Sequence, residues 1–386
     1  MIPAGLDSLL RPLEEFEAIR RRAALLGDRL CDLSYANPYD GVEAATRQVL
    51  RQALDQERLL DLQYSPFGGA TLVRRAVADD LTRRCRLPFG YEDVVLTPGA
   101  MAALHLALRS VGAPGDEVVI PTPCWLDYPL YARYLGLTPV LVPMAEPDFR
   151  LDADRLAAAV TPRTRAVLLS HPANPTGRCY DSEQLAGLAG VVRQAEQRLG
   201  RSITVIADEV HRDFVPGDAY RSIAEMLDAT LIVYSFGKYH FMQGQRTGYL
   251  AVSPRHPACG ALAADAVRWS RTLGFCTPTA LMQAAIPALL HLRHDLSNII
   301  RWRERMTTEL RDAGYRVAPA DATLFLYIAT PEGWDDFDFI RALAAARVLA
   351  LPAPVFHHRG YFRLSLTGAA RMLEGGLAAL HRLAAA

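Results

Sequence analysis

Lysine is almost absent from this chain. Among 386 residues stand 41 arginines and one lysine, Lys238, although lysine is normally among the commonest residues of a globular protein. The 42 basic residues match 42 acidic ones, so the formal net charge is zero. No basic stripe of the kind that neutralises nucleic-acid phosphates is expected from that balance, and no nucleic-acid partner. Cysteines are few and scattered: Cys31, Cys85, Cys124, Cys179, Cys259 and Cys276 form no CxxC pair. Such spacing predicts reduced thiols in the cytoplasm, and neither a disulfide framework nor a zinc site. The ten histidines show no HExxH spacing, and no metal is expected. Long apolar runs are missing as well. The longest uncharged stretch, Thr272 to Leu292, is interrupted by Pro278 and Pro287, so a buried helix is expected there and no membrane span. Asp7, Glu14, Glu15 and Glu17 crowd the opening residues, which therefore lack the apolar centre of a secretion signal.

What is present suits a large buried core: 51% of residues are apolar, enough for two domains or one large α/β unit with a smaller partner. From about residue 94 to 253, short β-rich runs alternate with helical stretches. The runs are VVLTPG, VVIP, PVLVP, AVLLS, TVIADE, LIVYSF and YLAVS. Apolar strands alternating with amphipathic helices predict a mostly parallel seven-stranded sheet, covered on both faces. Ligands in such sheets bind beyond the carboxyl ends of the strands. After Pro278 a single long helix is expected to run to its stop at Gly314. The tail predicts a small α+β domain. The expected division is residues 1–44 as an N-terminal arm belonging partly to the small domain, 45–285 as the large domain, and 286–386 as the small one.

Lys238 is where chemistry is expected. A lysine can lose its proton and attack a carbonyl as a neutral amine, which an arginine cannot. It follows the strand LIVYSF in S-F-G-K, and Arg246 comes eight residues later in Q-R-T-G-Y. The GxxxxGK[ST] spacing of a phosphate loop is absent. Asp208 ends the strand TVIADE and opens D-E-V-H, while H-P-A-N-P-T-G follows the strand AVLLS and presents Asn174. An imine-forming lysine and an aspartate for a cationic ring nitrogen are the requirements of pyridoxal phosphate.

With N-P-T-G, D-E-x-H, S-x-x-K and R-x-G in this order on successive strand ends, the chain resembles the class I/II aminotransferases of the fold-type I pyridoxal-phosphate enzymes. The resemblance extends from N-P at 37–38 to F-R-L-S at 362–365. It implies pyridoxal 5′-phosphate held covalently by Lys238, which would also carry the Cα proton once substrate displaces it. Asp208 would keep the ring nitrogen protonated. Asn174 and His211 would serve the phenolic oxygen, and Asn174 would also line the substrate side. Ser235, Arg246 and the helix opening at Gly99, Ala100 and Met101 would bind the phosphate. Trp125 would stack on the cofactor face, Tyr64 would reach across a homodimer to the neighbour's phosphate, and Arg363 would clamp the substrate carboxylate. The implied reaction moves an amino group from an amino acid to a 2-oxo acid.

Three positions depart from the family pattern. His211 stands where many aminotransferases place tyrosine and is shared with cystathionine β-lyase-like carbon–sulfur lyases; a histidine there is expected to titrate near neutrality. Ala36 replaces the usual glycine of the substrate loop. Ala353 and Pro354 stiffen a loop that often reads P-G-x-x-F-G. A β-eliminating lyase, or an elimination–replacement or oxidising relative, is therefore the alternative on the same cofactor frame. From a different class, a non-catalytic ligand-binding or regulatory module on this fold is the second alternative.

Overall fold

The computed structural model describes residues 4–38, 44–55, 63–217 and 219–384. Helix α1 (Ala4–Ala23) leads to the short strand β1 (Cys31–Asp32), then to α2 (Ala44–Asp55) and α3 (Thr71–Cys85). Strand β2 (Val94–Thr97), α4 (Ala100–Val111), β3 (Glu117–Thr122), α5 (Asp127–Tyr134) and β4 (Thr138–Pro143) follow. Next come α6 (Ala153–Ala159), β5 (Thr164–Ser170), α7 (Ser182–Leu199), β6 (Thr204–Asp208), β7 (Thr230–Ser235), α8 (Phe236–Tyr239) and β8 (Gly248–Val252). The chain continues through α9 (Cys259–Thr272), α10 (Ala280–His291), α11 (Ser297–Asp312), β9 (Phe325–Ala329) and α12 (Asp336–Ala345). It ends with β10 (Val348–Leu349), β11 (Leu351–Pro352), β12 (Tyr361–Ser365) and α13 (Ala370–Ala384).

All seven strand runs read from the sequence enter one sheet, in the order β2-β8-β7-β6-β5-β3-β4. Strand β8 is antiparallel to both its neighbours, and the other pairings are parallel. Strand periodicity sends alternate side chains to opposite faces. Val118, Ile120, Leu231 and Val233 pack with Leu104 and Leu108 of α4, whereas Val119, Val167, Leu169 and Val205 pack with Leu185, Leu188 and Val192 of α7. Both faces are covered, which is why the strands read as continuous apolar runs. Full burial of each such side chain contributes about 1.5–3 kcal/mol.

A second, antiparallel sheet has the order β11-β12-β9, and β1 pairs in parallel with β10. The N-terminal arm thus joins the C-terminal part of the chain, and α1 packs on both α12 and α5. One expectation fails here. The single long helix after Pro278 is two helices, α10 and α11, separated by residues 292–296. Leu292 turns extended (φ −69°, ψ 130°), and the Asp295 carboxylate accepts the Ser297 N–H at 2.9 Å, offering the backbone an alternative to the helical bond. Pro287 sits inside α10 without ending it. Among the described residues, no helix is long and apolar enough to cross a membrane.

Candidate active site

The carboxyl ends of β2, β3, β5, β6 and β7 converge, and each delivers a residue singled out above. Segments from the arm and from the second sheet close the opposite side. Between them lies a cavity of about 300 Å³. Its walls include Ala100 and Met101 from the α4 tip, Trp125 after β3, Asn174 after β5, and Asp208 and His211 at the end of β6. Ser235, Lys238 and Arg246 follow β7, while Ala36 comes from the arm and Arg363 from β12. Gly99 lies directly behind Arg246. Tyr64 is not brought to the cavity of its own chain and is fully exposed. A larger groove of about 720 Å³ runs beside α1, α4 and α5 and shares Met101. Its walls are apolar apart from His105 and two tyrosines, so the smaller cavity is the one equipped for chemistry.

Lys238 is enclosed at the first turn after β7. Burial, with help from Arg363 and Arg246 and against Asp208, pushes its ammonium down to about 8. A sizeable share of the amine is therefore neutral near physiological pH. Asp208 is 5% exposed. Burial pushes its carboxyl up to about 6, against the Tyr128 hydroxyl and the Val210 N–H. Tyr128 donates to Oδ2 at 2.6 Å and Val210 N–H donates to Oδ1 at 3.2 Å.

His211 corrects an expectation. Its pKa lies well below the ordinary value because the ring is buried, and because the Lys238 and Arg363 cations face it. It is a neutral imidazole throughout the physiological range and does not titrate near neutrality. Its Nδ1 has no hydrogen-bond partner among the described residues. In the cofactor-free protein, the His211 ring resonances are expected to stay constant between pH 6 and 8; a midpoint near 6.5 by NMR would refute this.

Two guanidinium groups flank the cavity without a carboxylate partner among the described residues. Arg363 is 2% exposed, and its Nη1 and Nη2 donate to Asn174 Oδ1 and to the Ser34 carbonyl, each at 2.8 Å. Phe325 and Phe356 lie 3.9 and 4.8 Å from the guanidinium carbon. Burial pushes this group down to about 9, so it remains charged at neutral pH. Its Nε has no hydrogen-bond partner among the described residues. Arg246 donates from Nη1 to the Gln243 carbonyl at 3.0 Å. Gly99 permits that placement: its φ is +88°, and a Cβ there would stand 2.9 Å from Arg246 Nη2. The Ser235 hydroxyl accepts from Gly237 N–H at 3.2 Å and donates to the Thr247 carbonyl at 3.3 Å. Trp125 is held by its indole N–H, which donates to Asp127 Oδ2 at 2.6 Å. Ala36 is buried, and its carbonyl accepts from Gln243 Nε2 at 2.6 Å.

Sequence reasoning missed Tyr128, Gln243 and Phe325, which also line the cavity. Tyr128 had a weak readable signal, since it stands at the start of α5, three residues after Trp125. Replacing Tyr128 by Phe removes a donor to a buried carboxylate, worth about one pH unit. The acidic limb of the pH–rate profile is expected to move up accordingly, and an unmoved limb would separate Tyr128 from Asp208's ionisation.

The sequence matches the family description "Aminotransferase class I and II" over residues 30–380. It is 30% identical over 327 residues to a probable aspartate/prephenate aminotransferase of Aquifex aeolicus, covering 81% of each chain. A probable N-acetyl-LL-diaminopimelate aminotransferase of Bacillus subtilis is 27% identical, with 96% of this chain and 95% of that one covered. In fold, the chain is similar to a solved amino transferase of Eubacterium rectale, with TM-score 0.89, 24% identity and coverage of 99% and 98%. It is also similar to the aspartate aminotransferase of Thermus thermophilus with maleate, at TM-score 0.84, 24% identity and coverage of 97% and 98%.

Proposed function

The chain belongs to the class I and II aminotransferases, and on that premise we propose that it uses pyridoxal 5′-phosphate at Lys238 to exchange an amino group between an amino acid and a 2-oxo acid. One observation carries the reading: the only lysine of the chain lines a cavity whose remaining charges are one buried carboxylate and two guanidiniums without carboxylate partners. The residues present fit the cofactor. Arg246, backed by Gly99, suits a phosphate; Asp208 suits a cationic ring nitrogen; the unpartnered His211 Nδ1 awaits a polar atom.

When bound, pyridoxal phosphate supplies a carbonyl for an amine and a ring that accepts the electron pair left at Cα. The neutral Lys238 amine would attach it and later carry the proton to and from Cα. Asp208 would hold a proton on the ring nitrogen. Asn174 and His211 would bind the phenolic oxygen, Trp125 would cover one ring face, and Arg246, Ser235 and the α4 tip from Gly99 to Met101 would bind the phosphate. Arg363, aligned by Asn174, would clamp the substrate α-carboxylate, and the buried Ala36 would bound the substrate loop.

The exposed Tyr64 supports a homodimer in which this tyrosine serves the neighbour's phosphate. The β1–β10 pairing supports grouping residues 1–44 with 286–386 beside the large unit 45–285. Scattered free cysteines among the described residues suit a cytoplasmic setting.

The test is a panel of amino acids followed by absorbance and by 2-oxo-acid-dependent exchange. Exchange with at least one donor–acceptor pair is expected. His211 in D-E-x-H favours a second reading, carbon–sulfur elimination. Ammonia and pyruvate from a cysteine conjugate, without exchange, would replace transamination by it.

A further inference from the structure

Arginine is concentrated in a second place, away from the catalytic cavity. A polar cleft of about 700 Å³ opens between the end of α3, residues 212–217 and 220–221, and the α10–α11 connection. Arg83, Arg84, Arg86, Arg212, Arg221 and Arg293 line it, against two carboxylates among the described lining residues, Asp80 and Asp213. Those carboxylates are already engaged. Asp80 accepts from Arg83 at 3.2 Å and from Arg84 at 2.8 Å, and Asp213 pairs with Arg84 at 2.9 Å and accepts from the Tyr234 hydroxyl at 2.7 Å. Arg212 is buried and engaged as well: it lies 3.3 Å from Glu209, 3.7 Å from Asp80 and 3.8 Å from Asp213, and donates to the Tyr249 hydroxyl at 2.7 Å. Arg86 and Arg293, both exposed, pair with no carboxylate among those residues; Arg293 is held over the cleft by the carbonyls of Leu290 and Leu292.

In a chain of zero net charge, this gathering of like charge raises the local potential and favours an anion that can meet several forks at once. The cleft has the size of a small metabolite, and its lining is mainly polar. We propose that it is a second ligand site, for a small anion carrying two or more phosphate-type charges. Tyr239, next in sequence to Lys238, forms part of its wall and accepts the His294 N–H at 3.0 Å.

Calorimetric titration of inorganic pyrophosphate into the full chain, saturated with pyridoxal phosphate so that the Arg246 subsite is filled, tests the proposal. One saturable site per chain is expected. Arg86→Ser and Arg293→Ser should each weaken it roughly tenfold, with basal activity unchanged. Absence of saturable binding, binding indifferent to both substitutions, or tighter binding of citrate than of pyrophosphate would each overturn it. Binding is read directly, so a failure here is distinct from a failure of transamination.

Discussion

Lys238→Ala is expected to abolish turnover, to below about 10⁻⁴ of the parent rate, since on the proposed reading it removes both the attaching amine and the proton carrier. Lys238→Arg should fail as completely, because a guanidinium keeps the charge but has no neutral amine to offer. The near absence of lysine makes the result sharp: no second lysine exists to take over. Borohydride reduction of the cofactor-loaded protein should therefore label one lysine peptide, and mass spectrometry should place the adduct at residue 238. A visible cofactor band and a stable adduct in either variant would sink the assignment. The pH dependence has a definite sign. Burial lowers the Lys238 ammonium to about 8, so cofactor attachment should quicken as pH rises through that value and slow below it.

Much of the architecture was legible because both faces of the main sheet are buried. Strands such as VVLT and LIVYS have no polar face to interrupt the run, and the turn at each carboxyl end carries a candidate site residue. Features that depend on distant partners were not legible. The helix break was missed for a local reason: Leu292 and Leu296 keep helical spacing, while the extended Leu292 and the Asp295 carboxylate on Ser297 N–H end the run. The charge of His211 is set by burial, by Lys238 and by Arg363, which arrives from a strand more than a hundred residues later. Phe325 reaches Arg363 from the second sheet with no local signal at all. Arg363 itself is one of 41 arginines, and its isolation from carboxylates became visible only in the fold. The basic cleft has the same origin: α3, the segment after β6 and the α10–α11 connection each contribute cations that look unremarkable along the chain.

Asp208→Ala is expected to leave cofactor attached at Lys238 while kcat falls by about 10³, the loss typical of removing one preorganised electrostatic partner. Asp208 is the one carboxylate among the described residues that line the cavity, so no neighbour can take over its charge. Burial pushes its carboxyl up to about 6, and the hydrogen bonds from Tyr128 and Val210 oppose that shift. Near pH 7.5 it is therefore mostly ionised even before a cationic partner arrives, and such a partner would favour the ionised form further. Asp208→Asn separates charge from shape. Its amide oxygen can still accept from the Tyr128 hydroxyl, but the negative charge is gone. If charge on this atom holds the ring proton, the Asn variant should be as slow as the Ala variant while retaining its bound-cofactor absorbance. Recovery of near-parent kcat in the Asn variant would reduce Asp208 to a spacer and refute its electrostatic role.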